Sequence, residues 1–120
     1  MAVISSFRDL TVWQEAHNLV LLVYRSTESF PSSEQYGLTS QMRRAALSVP
    51  ANIVEGFKRQ GTQEKVRFYN IAEAFLEELK YVLILCSDLG CMSSCDDFQA
   101  KADTVGRLLY RFAQSAKHCR

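Results

Sequence analysis

The sequence predicts an all-α protein, an antiparallel up-down-up-down four-helix bundle that occupies residues 1–120 as a single domain. Apolar residues recur every three or four positions in four stretches, at about 10–29, 38–58, 62–89 and 95–117. No stretch alternates apolar and polar residues as a strand does. Only short segments rich in turn-forming residues separate the four stretches, and connections of this kind join antiparallel neighbours in a bundle.

The first predicted helix, about 10–29, is apolar around nearly its whole circumference over one turn, where Leu19, Leu21, Leu22 and Tyr24 widen its core seam. A helix of this kind is buried on more than one side. In so short a chain we expect the second side to contact another subunit.

The second predicted helix, about 38–58, carries Pro50 in its middle. Pro50 lacks the N–H that would bond the Ala46 carbonyl, so the sequence predicts a kink there. A polar stripe runs beside the apolar face of this helix. It predicts a structural polar network, formed with acids of the third helix, whose members are Gln41, Arg43, Arg44, Ser48, Asn52, Glu55 and Glu78.

Arg43 and Arg44 allow two interpretations. In the first, they contact phosphate. In the second, they form ion pairs with acidic residues of the same subunit or of a neighbouring one. The candidate acids are Glu55, Glu73, Glu77 and Glu78. Because these acids are so near, the sequence favours the structural interpretation.

The third predicted helix, about 62–89, has Thr62 as its expected N-cap and Gly90 as its C-cap. The fourth, about 95–117, follows Ser94, which with Asp97 three residues later forms a variant of the capping box.

Composition favours an ordinary globular protein, with 48% hydrophobic residues, 22% charged residues and a formal net charge of +1. The longest apolar run, Leu19 to Tyr24, is far too short to span a membrane. The first residues show no signal-peptide pattern, so we expect a cytoplasmic protein.

Catalytic and metal chemistry find little support in the sequence. The spacing of Cys86, Cys91 and Cys95 is not a standard zinc pattern, and the fourth predicted helix separates these residues from Cys119. His17 and His118 belong to different predicted helices, and the Glu-x-x-His motifs of di-iron bundles do not occur. The sequence therefore predicts a protein that is not an enzyme, with no catalytic residue, metal or cofactor.

Three segments resemble a known family, the four-helix bundle proteins associated with intervening sequences in bacterial 23S ribosomal RNA genes. They are FRDLTVW at 7–13, FPSSEQYGLTSQMRRAALSVPANIVEG at 30–56 and RFYNIAEAFLEEL at 67–79. The family resembles, more distantly, the accessory variability protein of diversity-generating retroelements. The resemblance implies a homopentamer, and through the retroelement protein it implies nucleic-acid or protein partners. One departure is Ala74-Phe75, where the family commonly has Gly-Ser before a motif whose glutamate matches Glu78.

Charge is unevenly distributed along the predicted bundle. The start of the first helix, the 57–64 connection and the end of the fourth helix would lie together, and the cations collected there are Arg8, Lys58, Arg59, Lys65, Arg67, Arg111, Lys117 and Arg120. The opposite end collects the acids Glu28, Glu34, Asp88, Asp96 and Asp97. Ordinary helix-end chemistry accounts for cations at helix C-termini, but not for Lys65 and Arg67 at a helix start.

The leading functional hypothesis is a non-enzymatic, homo-oligomeric module that binds RNA or DNA through the basic bundle end. The candidate nucleic-acid-binding residues are Lys58, Arg59, Lys65, Arg67, Arg111 and Lys117. The alternative is a scaffold whose oligomer surface docks a partner protein. Neither hypothesis involves a membrane.

Overall fold

Four α-helices account for most of the residues that the computed structural model describes, which are 4–34 and 37–118. The helices are α1 (Thr11–Thr27), α2 (Leu38–Lys58), α3 (Thr62–Asp88) and α4 (Asp96–His118). Short 3-10 helices at Phe7–Asp9 and Ser32–Glu34 precede α1 and α2. No strand occurs in the described ranges, and the predicted all-α class with four helices is confirmed.

The helices pack as a closed ring around one core. α1 contacts α2 and α4, and α3 contacts the same two helices on the other side. The molecule measures 48 × 23 × 19 Å, as expected for helices of this length packed side by side. Side chains from all four helices are completely buried in the core, among them Val23, Met42, Ile53, Leu79, Leu83, Cys86, Ala102 and Leu109. This arrangement is a four-helix bundle.

Neither α1 nor α3 begins with a side-chain N-cap, and for α3 this differs from the prediction for Thr62. Leu10 precedes α1 without a side-chain cap, because the first 3-10 helix leads directly into it and the Leu10 N–H donates to the Phe7 carbonyl at 3.0 Å. Gly61 precedes α3, with a φ of 81° that favours glycine, so Thr62 is the first residue of the helix and not its cap.

The end of α3 follows the prediction for Gly90. Gly90 has a φ of 81° and donates its N–H to the Ser87 carbonyl at 3.1 Å, while the Cys91 N–H donates to the Cys86 carbonyl at 2.9 Å. This pair of bonds is the Schellman motif, which satisfies carbonyls that the ending helix leaves without partners.

Pro50 is buried inside α2, whose helical assignment continues through it. Two nearby side chains bond to backbone carbonyls of the same helix. Ser48 Oγ donates to the Arg44 carbonyl at 2.8 Å, and Asn52 Nδ2 donates to the Ser48 carbonyl at 2.7 Å. Neither bond reaches the Ala46 carbonyl that Pro50 leaves free.

An aromatic stack joins the first 3-10 helix to α1. The rings of Phe7 and Trp13 meet edge to face with centroids 5.0 Å apart, and the Trp13 ring lies parallel to the His17 imidazole at the same distance. Trp13 is half-buried against the core, whereas His17 is exposed.

Candidate nucleic-acid interface

Four cations lie around the connection between α2 and α3. Lys58 is the last residue of α2 and Arg59 follows it, while Lys65 and Arg67 belong to the first two turns of α3. The connection is short, so the four residues stay within the same region of the surface. Lys58, Arg59 and Arg67 are exposed and Lys65 is half-buried.

A close approach of α2 to α3 brings Phe68 to this connection. A Cβ atom on Gly56 would lie 2.6 Å from Tyr69 Cε1 and 3.0 Å from Phe68 Cβ, which is closer than side chains allow. Only glycine lets the two helices meet at this distance. Tyr69 is fully buried at the contact, and burial raises its pKa to about 12.

Two guanidinium groups converge on the Phe68 ring. The Arg59 guanidinium carbon lies 4.6 Å from the ring centroid, and that of Arg67 lies 5.2 Å from it. Both distances are typical of cation–π contacts. The two side chains remain 46% and 61% exposed, and their ion pairs with Glu55 at 3.5 Å and Glu64 at 3.8 Å are also exposed. Such pairs contribute little to stability, so both guanidinium groups stay accessible to a ligand.

Lys65 has a structural contact that explains its position at a helix start. Its Nζ donates to the Phe57 carbonyl at 2.7 Å and lies 3.4 Å from the Gly56 carbonyl. The same ammonium lies 5.5 Å from the centroid of the Phe57 ring. Lys65 therefore caps the carbonyl end of α2 although it belongs to α3, and its charge stays at the connection.

The other two predicted cations lie on α4. Arg111 lines a groove of about 460 Å³ between α3 and α4, shared with Glu73, Glu77 and Asp103. Burial raises the pKa of Glu73, and the charge of Lys117 opposes this shift. Arg111 and Lys117 thus neighbour acidic residues of the α3–α4 side and not the cations at the α2–α3 connection. Arg120 and Cys119 lie outside the described residues, as does the side chain of Glu34.

Arg43 bonds to α1 and not to the glutamates of α3. Its Nε donates to Thr27 Oγ1 at 2.8 Å, its Nη2 donates to the Tyr24 carbonyl at 3.3 Å, and its guanidinium carbon lies 4.6 Å from the Tyr24 ring centroid. Thr27 is buried and in turn donates to the Val23 carbonyl at 2.8 Å. The sequence analysis did not predict Thr27 as the partner of Arg43, because its spacing indicates only a position on the apolar face of α1.

Among the remaining members of the predicted polar network, Ser48 and Asn52 donate to the backbone carbonyls of Arg44 and Ser48, and these bonds join no two side chains of the network. Gln41 and Arg44 are exposed, and neither forms a side-chain hydrogen bond or ion pair within residues 4–34 and 37–118. Glu55 pairs with Arg59. Glu78 has one carboxylate oxygen, Oε2, that is buried without a hydrogen-bond partner in the described chain.

Phe57 and Phe68 also lie among these cations, and the sequence analysis did not include them in the candidate site. Their contacts with Lys65 and Arg59 cross the turn between two helices, so no helical spacing indicates them. The available signal was composition: two phenylalanines stand among the four cations of the segment 57–68.

Among the described residues, no group of histidine, cysteine and acidic side chains is arranged to hold a metal ion. None of the helices described combines the length and apolar character that crossing a membrane requires.

The fold and the basic connection define a four-helix bundle protein with a cation-rich end. The family model described as "23S rRNA-intervening sequence protein" matches residues 8–111. The chain belongs to this family. Comparison with curated proteins finds no match.

Proposed function

We propose that this protein binds nucleic acid, without catalysing a reaction, through the cations at the α2–α3 connection. The observation that carries the proposal is the convergence of Lys58, Arg59, Lys65 and Arg67 on one short, largely exposed segment. Clustered cations bind the phosphate backbone, and each neutralised phosphate releases counterions. The family description, which refers to 23S rRNA, agrees with a ribonucleoprotein setting.

We further propose a homopentamer of antiparallel, up-down-up-down bundles. Contacts between α3 and α4 support the alternation, because Lys80 bonds Asp103 near one end while Tyr69 packs on Phe112 farther along. The number five rests on the resemblance described above. Fivefold repetition would turn the basic end into a ring of cations. The proposal includes a kink of α2 at Pro50 and a cytoplasmic location.

A double charge reversal tests the function. Lys58→Glu with Arg59→Glu should weaken binding to a fluorescently labelled RNA hairpin and lower the slope of log affinity against log salt by about two. The matched control reverses Arg25 and Lys101, which line a groove elsewhere on the molecule. Fluorescence anisotropy at several salt concentrations measures both variants. Equal affinity of the Lys58/Arg59 variant and the wild type, with folding intact, would exclude this interface.

A protein-binding scaffold is the second candidate function. Large apolar side chains are exposed on α2, on α3 and at the residue that follows α3, namely Leu47, Tyr81, Ile84 and Leu89. Exposed apolar side chains that form a contiguous patch indicate interaction surfaces. Binding of a protein partner at such a surface should change little between low and high salt, whereas phosphate binding falls steeply.

A further inference from the structure

We infer that the α2–α3 connection prefers a strand of unpaired bases to a duplex, an inference that rests on the proposed nucleic-acid binding. The surface concerned is the arginine–phenylalanine platform, defined as Arg59, Arg67 and the Phe68 ring that both contact, with Lys65 over Phe57 beside it.

The platform holds two planar cations in place. Arg59 and Arg67 come from different sides of the connection, yet both guanidinium carbons lie within 5.2 Å of the same ring centroid. A guanidinium that packs one face on an aromatic ring keeps its other face for a second stacking partner. The two side chains are 46% and 61% exposed, so each offers surface to a ligand besides the ring that it contacts.

Unpaired bases can stack on the exposed surface of these two guanidinium groups. Arginine planes and aromatic rings stack bases that have left a helix, and stacking tolerates every base because each has a π-face. In a duplex the base faces are covered by their neighbours, so a duplex offers this platform only its phosphates. A single strand offers both, since Lys58 beside the platform is exposed and remains available for phosphate.

The intramolecular ion pairs do not account for the geometry. Glu55 and Glu64 reach the two arginines at 3.5 and 3.8 Å, at exposed positions where such pairs are weak. These carboxylates lie on separate helices, whereas the two guanidinium groups converge on one ring. A ligand that stacks and carries negative charge can displace both acids with little loss.

A charge-preserving variant tests the preference. Arg59→Lys with Arg67→Lys keeps every positive charge and removes both guanidinium planes. The probes are a labelled 20-nucleotide oligouridine, a 20-base-pair RNA duplex and a 20-nucleotide oligothymidine, which identifies whether RNA or DNA supplies the bases. Wild-type protein should bind at least one single strand more tightly than the duplex. The variant should lose single-strand affinity by about 5-fold or more, with duplex affinity and salt slope unchanged.

Two further variants keep the test decisive. Phe68→Leu retains an apolar side chain at this half-buried position and should also lower single-strand affinity, because both guanidinium groups lose their support. Arg25→Lys, distant from the platform, should change neither affinity, and circular dichroism checks folding in every case. Equal binding of single strand and duplex by the wild type, or unchanged single-strand affinity of the double lysine variant, would overturn this inference alone. Failure to bind any of the probes at low salt would overturn the proposed function as well.

Discussion

At the scale of single residues, Gly56 determines how closely α2 and α3 pack. A Cβ at this position would meet the buried Tyr69 ring at 2.6 Å, whereas a Cβ at Gly106 in α4 would meet Leu76 Cδ2 at an ordinary 3.4 Å. Gly56→Ala should therefore lower the free energy of unfolding by about 1–3 kcal/mol, because Tyr69 must move within a packed core. Urea denaturation followed by circular dichroism measures the change.

The matched control is Gly106→Ala. Alanine is favoured over glycine inside a helix by roughly 1 kcal/mol, and the space at Gly106 accepts the methyl group, so this variant should be neutral or more stable than the wild type. If both alanine variants behaved alike, the close contact at Gly56 would not limit packing.

Arg43 and Arg44 are neighbours in sequence but should contribute differently to the free energy of unfolding. Arg43→Ala removes the bonds to Thr27 and the Tyr24 carbonyl and leaves a buried hydroxyl with one partner fewer. We expect a loss of about 1–2 kcal/mol in the free energy of unfolding, since these hydrogen bonds involve a charged donor. Arg44→Ala, at an exposed position, should change it by less than about 0.5 kcal/mol. Thermal and urea unfolding of the two variants under identical conditions test this ranking.

Tyr69 should make the free energy of unfolding depend on pH in the alkaline range. Its pKa is about 12 in the folded protein against the ordinary tyrosine value of 10.0, so the folded state holds this proton more tightly than the unfolded state does. The free energy of unfolding should be unaffected by Tyr69 below pH 10 and should fall between pH 10 and 12, by roughly 1.4 kcal/mol per pH unit.

Tyr69→Phe isolates this contribution, because it keeps the ring that packs on Phe112 and removes the titrating hydroxyl. Urea titration at each pH measures the unfolding free energy of both proteins. The wild-type value minus the variant value should be lower above pH 10 than at pH 8. A constant difference from pH 8 to 12 would show that the hydroxyl ionises freely in the folded state.

At the scale of the helix, Pro50 tests whether the path of α2 is imposed by packing. Proline inside a helix costs about 3 kcal/mol relative to alanine, so Pro50→Ala should strongly stabilise a helix whose path is free. We expect no such gain, because Pro50 is buried and removing its ring would leave unfilled space beside α2. Differential scanning calorimetry measures the change, and a melting temperature raised by several degrees with unchanged assembly would contradict the proposed kink.

How far the sequence predicts this fold depends on the range over which each signal acts. The four helices follow from apolar periodicity and from local signals such as Gly90, whose conformation serves the helix that it ends. The partner of Arg43 could not be predicted in this way, because Thr27 lies on another helix and spacing along one helix carries no information about the next. Phe68 was missed for the same reason, since its two arginines meet only after the chain has turned.

At the scale of the whole molecule, the oligomeric state tests the proposed homopentamer and its ring of cations. The single chain has a mass of 13.7 kDa, and a homopentamer should show five times that value in light scattering at micromolar concentration. We expect an oligomer because α1 carries more apolar surface than one core seam needs and because Tyr81 and Ile84 remain exposed on a lone chain. The number five rests on the family resemblance. A monomer would exclude the ring of cations, and a dimer would exclude its fivefold form but not the interface on each chain.

The aromatic stack at the start of α1 has a consequence for spectroscopy. Trp13 is the only tryptophan of the chain, and its indole is held between Phe7 and the exposed imidazole of His17. Its emission therefore reports on one small region, and it should respond to detachment of the 3-10 helix even while the bundle stays folded. Tryptophan fluorescence is for that reason a local reporter in this protein. Unfolding of the whole bundle is followed instead by the loss of helical content.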